Sequence, residues 1–120
     1  MKTISLNDLL DRLRSPTPPA LIEALPPRHF MQGHLPGALN INVGEVKALA
    51  PELLPTKAAG VVVYCASASC TNSDQVAVQL LALGYTDVTV FKGGKAEWHA
   101  AGYALEEGAP SSPQETACSR

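Results

Sequence analysis

Residues 61–64 form an unbroken run of apolar, mostly β-branched side chains, Val61-Val62-Val63-Tyr64. A short apolar run that ends in a small polar loop is typical of a strand buried on both faces. Such strands occur mainly in parallel sheets, whose crossover helices cover both faces of the sheet. This run therefore favours an α/β fold for the chain.

Helical and strand patterns alternate along the rest of the sequence. Leucines at helical spacing predict a first helix from Leu6 to Leu13, capped by Ser5 or Asn7. Further strands are predicted at 20–24, 39–43 and 86–91, and further helices at 46–54, 74–83 and 95–101, with a brief turn or helical piece at 26–31. The alternation predicts a central parallel sheet of about five strands with helices on both faces.

Length, composition and charge narrow the class of protein. A chain of 120 residues is long enough for one core, and we expect one domain at 3–106 with a disordered tail at 107–120 that contains Cys118. The net charge of −2 does not favour a nucleic-acid binder. The sequence has no apolar stretch of about 18 residues and no apparent signal peptide, so we expect no membrane association and a cytoplasmic location. The odd cysteine count of three argues against a secreted disulfide scaffold.

Cys65 is the strongest candidate for a reactive residue. It follows the apolar strand directly and precedes a loop of small polar residues that feeds a helix. Backbone N–H groups of such a loop converge on one point beyond the strand end, where they stabilise an anion or a thiolate. We therefore expect a lowered pKa and a nucleophilic thiol at Cys65. The alternative is a buried cysteine that serves as a small apolar residue.

Cys70 stands five residues after Cys65, and three interpretations stay open. It could act as a resolving thiol that forms a disulfide with Cys65 or accepts sulfur from it. It could be an ordinary loop residue. A metal ligand is the least favoured interpretation, because the pair lacks the second pair or the clustered histidines of a zinc site.

Several blocks together resemble the rhodanese domain, the sulfurtransferase fold, over residues 3–106. The blocks are Leu21-Ile22-Glu23, Gly33-His34-Leu35-Pro36-Gly37-Ala38, Tyr64-Cys65, Leu83-Gly84-Tyr85 and Gly93-Gly94 followed by Trp98. The resemblance implies that Cys65 takes sulfane sulfur from a small donor such as thiosulfate, holds it as a persulfide and passes it to cyanide or a thiol, with no cofactor or metal. The loop residues expected to bind the substrate are Ala66, Ser67, Ala68, Ser69, Cys70, Thr71, Asn72 and Ser73.

The chain departs from this family's pattern in its charges. Many family members carry Arg or Lys in the loop after the cysteine, whereas residues 66–75 contain neither. Lys92 and Lys95 flank the Gly-Gly turn and could supply the missing charge, although solvated lysines are equally ordinary there. Glu23 replaces the usual Asp, and Leu25 replaces a frequent Arg.

A phosphatase and a non-enzymatic sulfur carrier are the alternative functions. A phosphatase with a related fold would need Arg six residues after the cysteine, where this chain has Thr71. A non-enzymatic persulfide carrier or redox-sensing module, acting with a protein partner as sulfur acceptor, would suit a loop without cations.

His34 is expected to make a structural hydrogen bond.

Overall fold

Five parallel strands form one sheet in the order β1-β5-β4-β2-β3 in the computed structural model, which describes residues 2–108. The strands are β1 (Lys2–Thr3), β2 (Ala20–Glu23), β3 (Leu39–Asn40), β4 (Val61–Tyr64) and β5 (Val88–Phe91). The helices are α1 (Leu6–Leu13), α2 (Pro27–Gln32), α3 (Val46–Leu53), α4 (Asn72–Ala82) and α5 (Gly94–Ala100). A 3-10 turn at Val43–Glu45 leads into α3.

Strand β4 is the centre of the sheet, paired with β2 on one side and with β5 on the other. All four of its residues are buried, as the apolar run predicts. Val61 and Val63 pack with apolar residues of α3 and α4 on one face. Val62 and Tyr64 pack with α1, α2 and α5 on the opposite face. The predicted α/β architecture, with helices on both faces of a parallel sheet, is confirmed.

Two strands differ from the sequence prediction. β1 was not predicted, because a two-residue exposed edge strand carries no hydrophobic pattern. The strand predicted at 39–43 is shorter than expected and covers only Leu39–Asn40. The chain leaves the sheet there because the Glu45 carboxylate accepts a hydrogen bond from the backbone N–H of Asn42 (3.2 Å) and starts the 3-10 turn.

The ends of two helices follow the predicted capping residues. The Ser5 hydroxyl accepts a hydrogen bond from the N–H of Asp8 (3.1 Å) at the start of α1. Gly84 follows α4 in the left-handed region, with φ of 102°. The next residue, Tyr85, then turns inward, and its hydroxyl donates to the carbonyl oxygens of Leu54 (2.6 Å) and Ala50 (3.0 Å). The Leu-Gly-Tyr block thus fastens α4 to α3.

Among residues 2–108, no helix is long and apolar enough to cross a bilayer. Cys118 and nearly all of the tail predicted at 107–120 lie outside the described residues. The domain boundaries at 3 and 106 stay a prediction.

Candidate active site

Cys65 directly follows β4 and lies at the carboxyl end of the central strand. Its side chain is buried, with the residue 2% exposed. Two polar atoms lie close to the sulfur: the Ser73 hydroxyl in the first turn of α4, 3.4 Å from Sγ, and the Cys70 carbonyl oxygen, 3.5 Å from Sγ. The single proton of a thiol can be donated to either oxygen, so the observed geometry suits a protonated Cys65.

The loop after Cys65 is held from two sides. A turn closes the loop on itself, because the N–H of Cys70 donates to the Ser67 carbonyl (3.1 Å). The start of α5 holds the other side, where the N–H of Lys95 donates to the Cys65 carbonyl (3.0 Å). The N–H of Ala96 does the same for the Ala66 carbonyl (2.9 Å). These hydrogen bonds fix the backbone of the loop that carries the thiols of Cys65 and Cys70.

The pKa of Cys65 is raised, contrary to the prediction from the loop amides. Burial is the largest cause, because a thiolate loses its hydration in the interior. The neighbouring Cys70 raises this pKa further, while the Ser73 hydroxyl and N–H lower it by less. The prediction was wrong because the cost of burying the thiolate outweighs the stabilisation that the Ser73 N–H and hydroxyl supply.

Cys70 is the more acidic thiol of the pair. Burial alone raises the pKa of Cys70, but it is outweighed, and the pKa is lowered. The lowering comes from the Cys65 thiol, the backbone N–H groups of Asn72 and Ala66, and the positive charge of Lys92. The loop therefore stabilises a thiolate, but at Cys70 in this conformation.

Most of the loop hydroxyls predicted to bind substrate are occupied by each other or by α4. The Ser67 and Ser69 hydroxyls lie 3.1 Å apart in a mutual hydrogen bond. The Thr71 hydroxyl accepts from Gln75 (3.3 Å). Ala68 is exposed at the tip of the loop. Ser73 is thus the predicted hydroxyl that reaches the Cys65 sulfur.

Both flanking lysines are paired with carboxylates. Lys92 forms an ion pair with Asp74 of α4 (2.8 Å), although its charge still acts on both thiols. Lys95 points back into the domain, where Nζ donates to Glu23 (3.1 Å) and to the Gly33 carbonyl (2.8 Å). It is therefore a structural residue.

Glu23 and Lys95 belong to a buried polar network beneath the loop. The Glu23 carboxylate is fully buried, accepts from the Tyr64 hydroxyl (2.9 Å), and is paired with Lys95. The Tyr64 hydroxyl in turn accepts from the N–H of Leu35 (3.0 Å). Burial raises the pKa of Glu23, an effect that the hydrogen bond from Tyr64 and the charge of Lys95 oppose. The sequence showed these residues separately but gave no signal that they are joined.

His34 makes the structural hydrogen bond that was predicted. Its Nδ1 lies 2.8 Å from the Phe30 carbonyl oxygen, and its ring stacks on that of Phe30 at 3.8 Å. Its backbone also pairs with that of Glu106 in an antiparallel bridge. These contacts anchor the segment after α2.

A shallow groove of about 300 Å³ lies beside the outer side of the loop, next to Ala66. Gln32, Gly33 and His99 form part of its wall. The loop is therefore open on this side to a second molecule.

These features define a class of protein: an α/β domain with a buried cysteine between a central parallel strand and the loop that leads to a helix N-terminus. Residues 5–101 match the family model described as the rhodanese-like domain. The chain belongs to the rhodanese-like domain family.

Three individual proteins illustrate the similarity. The HTH-type transcriptional regulator Rv0324 of Mycobacterium tuberculosis is 32% identical over 90 residues, which are 75% of this chain and 38% of the regulator. A rhodanese from E. coli, solved with anions, is 30% identical with a TM-score of 0.62, over 74% of this chain and 98% of its own. A thiosulfate sulfurtransferase from Pseudomonas aeruginosa shares the fold at 23% identity with a TM-score of 0.80, over 90% of this chain and 20% of its own.

This chain thus spans well under half the length of two of these three proteins.

Proposed function

We propose that the domain is a sulfurtransferase that carries sulfane sulfur as a persulfide on Cys65. The observation that supports this most directly is the position of Cys65 at the carboxyl end of β4, with the Ser73 hydroxyl of α4 3.4 Å from its sulfur. Ligands of open α/β sheets bind at this edge of the sheet. Membership of the rhodanese-like family agrees with the assignment.

In the proposed reaction, ionised Cys65 attacks the outer sulfur of thiosulfate. A sulfur–sulfur bond forms to Cys65, the bond to the sulfonate sulfur breaks, and its electron pair leaves with sulfite. An acceptor such as cyanide or a thiol then attacks the outer sulfur of the persulfide, and Cys65 leaves as a thiolate. Because burial raises the pKa of Cys65, the first step becomes faster as pH rises toward that pKa.

Replacement of Cys65 by serine tests the proposal. We expect thiocyanate formation from thiosulfate and cyanide to disappear in Cys65→Ser, because a hydroxyl cannot form the persulfide. Cys118→Ser is the matched control, and it should keep the wild-type rate. Right after exposure to thiosulfate, the intact mass should gain about 32 Da, one sulfur atom, in protein that retains Cys65. Wild-type turnover in Cys65→Ser would show that another residue carries the sulfur.

A second candidate function is a persulfide-responsive or redox-sensing module that acts with a protein partner. A relative 32% identical to this chain carries the name of a transcriptional regulator. The loop also lacks Arg and Lys, so it has no cationic side chain of its own to hold a small anion. Absence of turnover with thiosulfate, together with sulfur loading of Cys65 by a persulfide donor, would favour this second function.

A further inference from the structure

The loop places a second thiol against Cys65, and the sulfur-carrier role described above does not use it. We propose that Cys70 is a resolving residue that converts the Cys65 persulfide into a Cys65–Cys70 disulfide and releases hydrosulfide. This inference rests on the proposed function, because it requires a persulfide on Cys65.

The first support is the fold of the loop. The turn from Ser67 to Cys70 reverses the chain and places the Cys70 carbonyl oxygen 3.5 Å from Cys65 Sγ. A carbonyl oxygen lies about 2.4 Å from its own Cα, so the Cα of Cys70 lies within about 6 Å of that sulfur. The two side chains also interact directly, because each thiol shifts the pKa of the other through a hydrogen bond. The two side chains are therefore close enough to interact, as the formation of a disulfide requires.

The second support is the difference between the two thiols. Cys65 is almost fully buried, whereas Cys70 is partly exposed. The lowered pKa of Cys70 increases its thiolate fraction, and the thiolate is the form that attacks a sulfur–sulfur bond. Lys92 adds a positive charge that acts on both sulfurs. The buried thiol of Cys65 is thus placed to hold the added sulfur. The more exposed thiol of Cys70 is placed to attack the persulfide.

The step balances without an external oxidant. The Cys70 sulfur attacks Cys65 Sγ, which is the inner sulfur of the persulfide, and a bond forms between the two side chains. The bond from Cys65 to the outer sulfur breaks. The electron pair of that bond leaves with the outer sulfur. The persulfide and Cys70 together carry one proton, and the outer sulfur takes this proton and leaves as hydrosulfide. The outer sulfur is reduced, and the Cys70 sulfur is oxidised.

Attack on the inner sulfur follows from the geometry. In the resting loop, the carbonyl oxygen and the thiol of Cys70 both lie beside Cys65 Sγ, the atom that becomes the inner sulfur of the persulfide. An external acceptor takes the outer sulfur instead, so the two reactions compete. When no acceptor is present, the pair closes into a disulfide that an external thiol such as dithiothreitol reopens.

Intact-mass spectrometry and sulfide measurement test this inference on the full chain. Wild type and Cys70→Ser, both also carrying Cys118→Ser, are treated with excess thiosulfate under anaerobic conditions, desalted and followed over time. We expect the wild-type cysteine pair to lose about 2 Da and to release one sulfide per disulfide. In Cys70→Ser, the fraction of molecules that keep the added sulfur, a gain of about 32 Da, should be at least about tenfold larger than in protein with Cys70. Cys70→Ala should behave like Cys70→Ser, and Gly44→Ala, which lies outside the loop and whose Cβ would meet no atom within 4 Å, should behave like wild type.

The possible failures are distinguishable. A stable gain of one sulfur in protein with and without Cys70 would overturn the resolving role and leave the persulfide on Cys65 in place. A disulfide that forms equally without thiosulfate would also overturn it, because the oxidant would not be the persulfide. If no protein with Cys65 gains sulfur or forms a disulfide, the proposed function fails and the inference fails with it.

Discussion

Glu23 lies in the buried polar network beneath the loop, and the stability of its negative charge depends on neighbouring side chains. Its carboxylate is fully buried, and its partners are the Tyr64 hydroxyl and the Lys95 ammonium group. A buried charge that loses its counter-charge is strongly destabilising, since neither water nor another cation replaces the lost partner. Lys95 also has backbone carbonyls of two other residues as acceptors, so it links α5 to the segment around α2.

Lys95→Met should therefore lower the free energy of unfolding by about 3 kcal/mol near neutral pH. This is the low end for a broken buried pair, because the Lys95 side chain keeps 16% exposure. Burial raises the pKa of Glu23, and a carboxyl with a raised pKa stabilises the folded state in its protonated form. The loss should hence be smaller near pH 4.5, the ordinary carboxyl value, than at neutral pH. Urea unfolding at the two pH values measures the difference.

The matched control is the double variant Glu23→Gln and Lys95→Met, which removes both charges. It should recover part of the lost stability at neutral pH and lose the pH dependence. Equal destabilisation of single and double variants at both pH values would show that Lys95 acts through packing of its side chain.

The sequence identifies Cys65 but not the state of its thiol. A strand followed by a small polar loop and a helix is a local pattern, and it places Cys65 at the strand end correctly. The orientation of the Cys70 peptide depends on the turn with Ser67 and on the position of α5, which no local pattern specifies. The partners of Lys92 and Lys95 depend likewise on contacts with residues distant in sequence.

The loop that carries both thiols is positioned by the elements on either side of it. Helix α4 supplies Ser73, and the start of α5 supplies two backbone N–H groups. The close approach of α5 depends on Gly94, which has φ of 61°. A Cβ at this position would collide with the Cys65 carbonyl oxygen.

Gly94→Ala should consequently displace the loop and remove most of the proposed sulfur transfer. The left-handed backbone adds about 1 kcal/mol of strain to the steric conflict, so the melting temperature should also fall. Gly44→Ala is the matched control, because the Cβ at Gly44 would meet no atom within 4 Å. Thiocyanate formation and thermal unfolding of both variants measure the effect. Full activity in Gly94→Ala would show that the loop geometry does not require this contact.

Strongly patterned elements are predictable from the sequence, whereas the extent of the two-residue strands β1 and β3 is not. β4 and α4 follow from an apolar run and a helical stripe, which are properties of adjacent residues. β1 exists because Lys2–Thr3 pairs with β5, and this pairing depends on the whole sheet. The early end of β3 coincides with a capping box, in which the backbone N–H of Asn42 donates to the Glu45 carboxylate.

The charges of the complete chain bear on the choice of sulfur donor. The sequence carries 9 Lys and Arg against 11 Asp and Glu, which gives a net charge of −2. Lys92 and Lys95 flank the Gly-Gly turn, and each of them is paired with a carboxylate. A dianion such as thiosulfate therefore approaches a negative molecule whose loop offers backbone N–H groups but no cationic side chain. We expect weak binding of thiosulfate.

Introduction of a loop cation tests this expectation. A charged hydrogen bond contributes about 1.5 to 3 kcal/mol, so Ser69→Arg or Ala66→Arg should lower the KM for thiosulfate by roughly tenfold or more. Both positions are exposed, so each can accept the longer side chain. The effect on kcat should be smaller, because the contact stabilises bound thiosulfate and the transition state alike.

Ala82→Arg separates a local contact from a change in net charge. Ala82 is exposed at the far end of α4, about 15 Å along the helix from its start at Asn72. The variant makes the same change in net charge as the loop variants. Its arginine, however, is farther from the start of α4 than the Debye length, which is about 8 Å at physiological ionic strength. Its KM should match that of wild type. A KM lowered equally by Ala82→Arg would assign the effect to the overall charge, and a micromolar KM in wild type would show that the loop amides alone bind the dianion well.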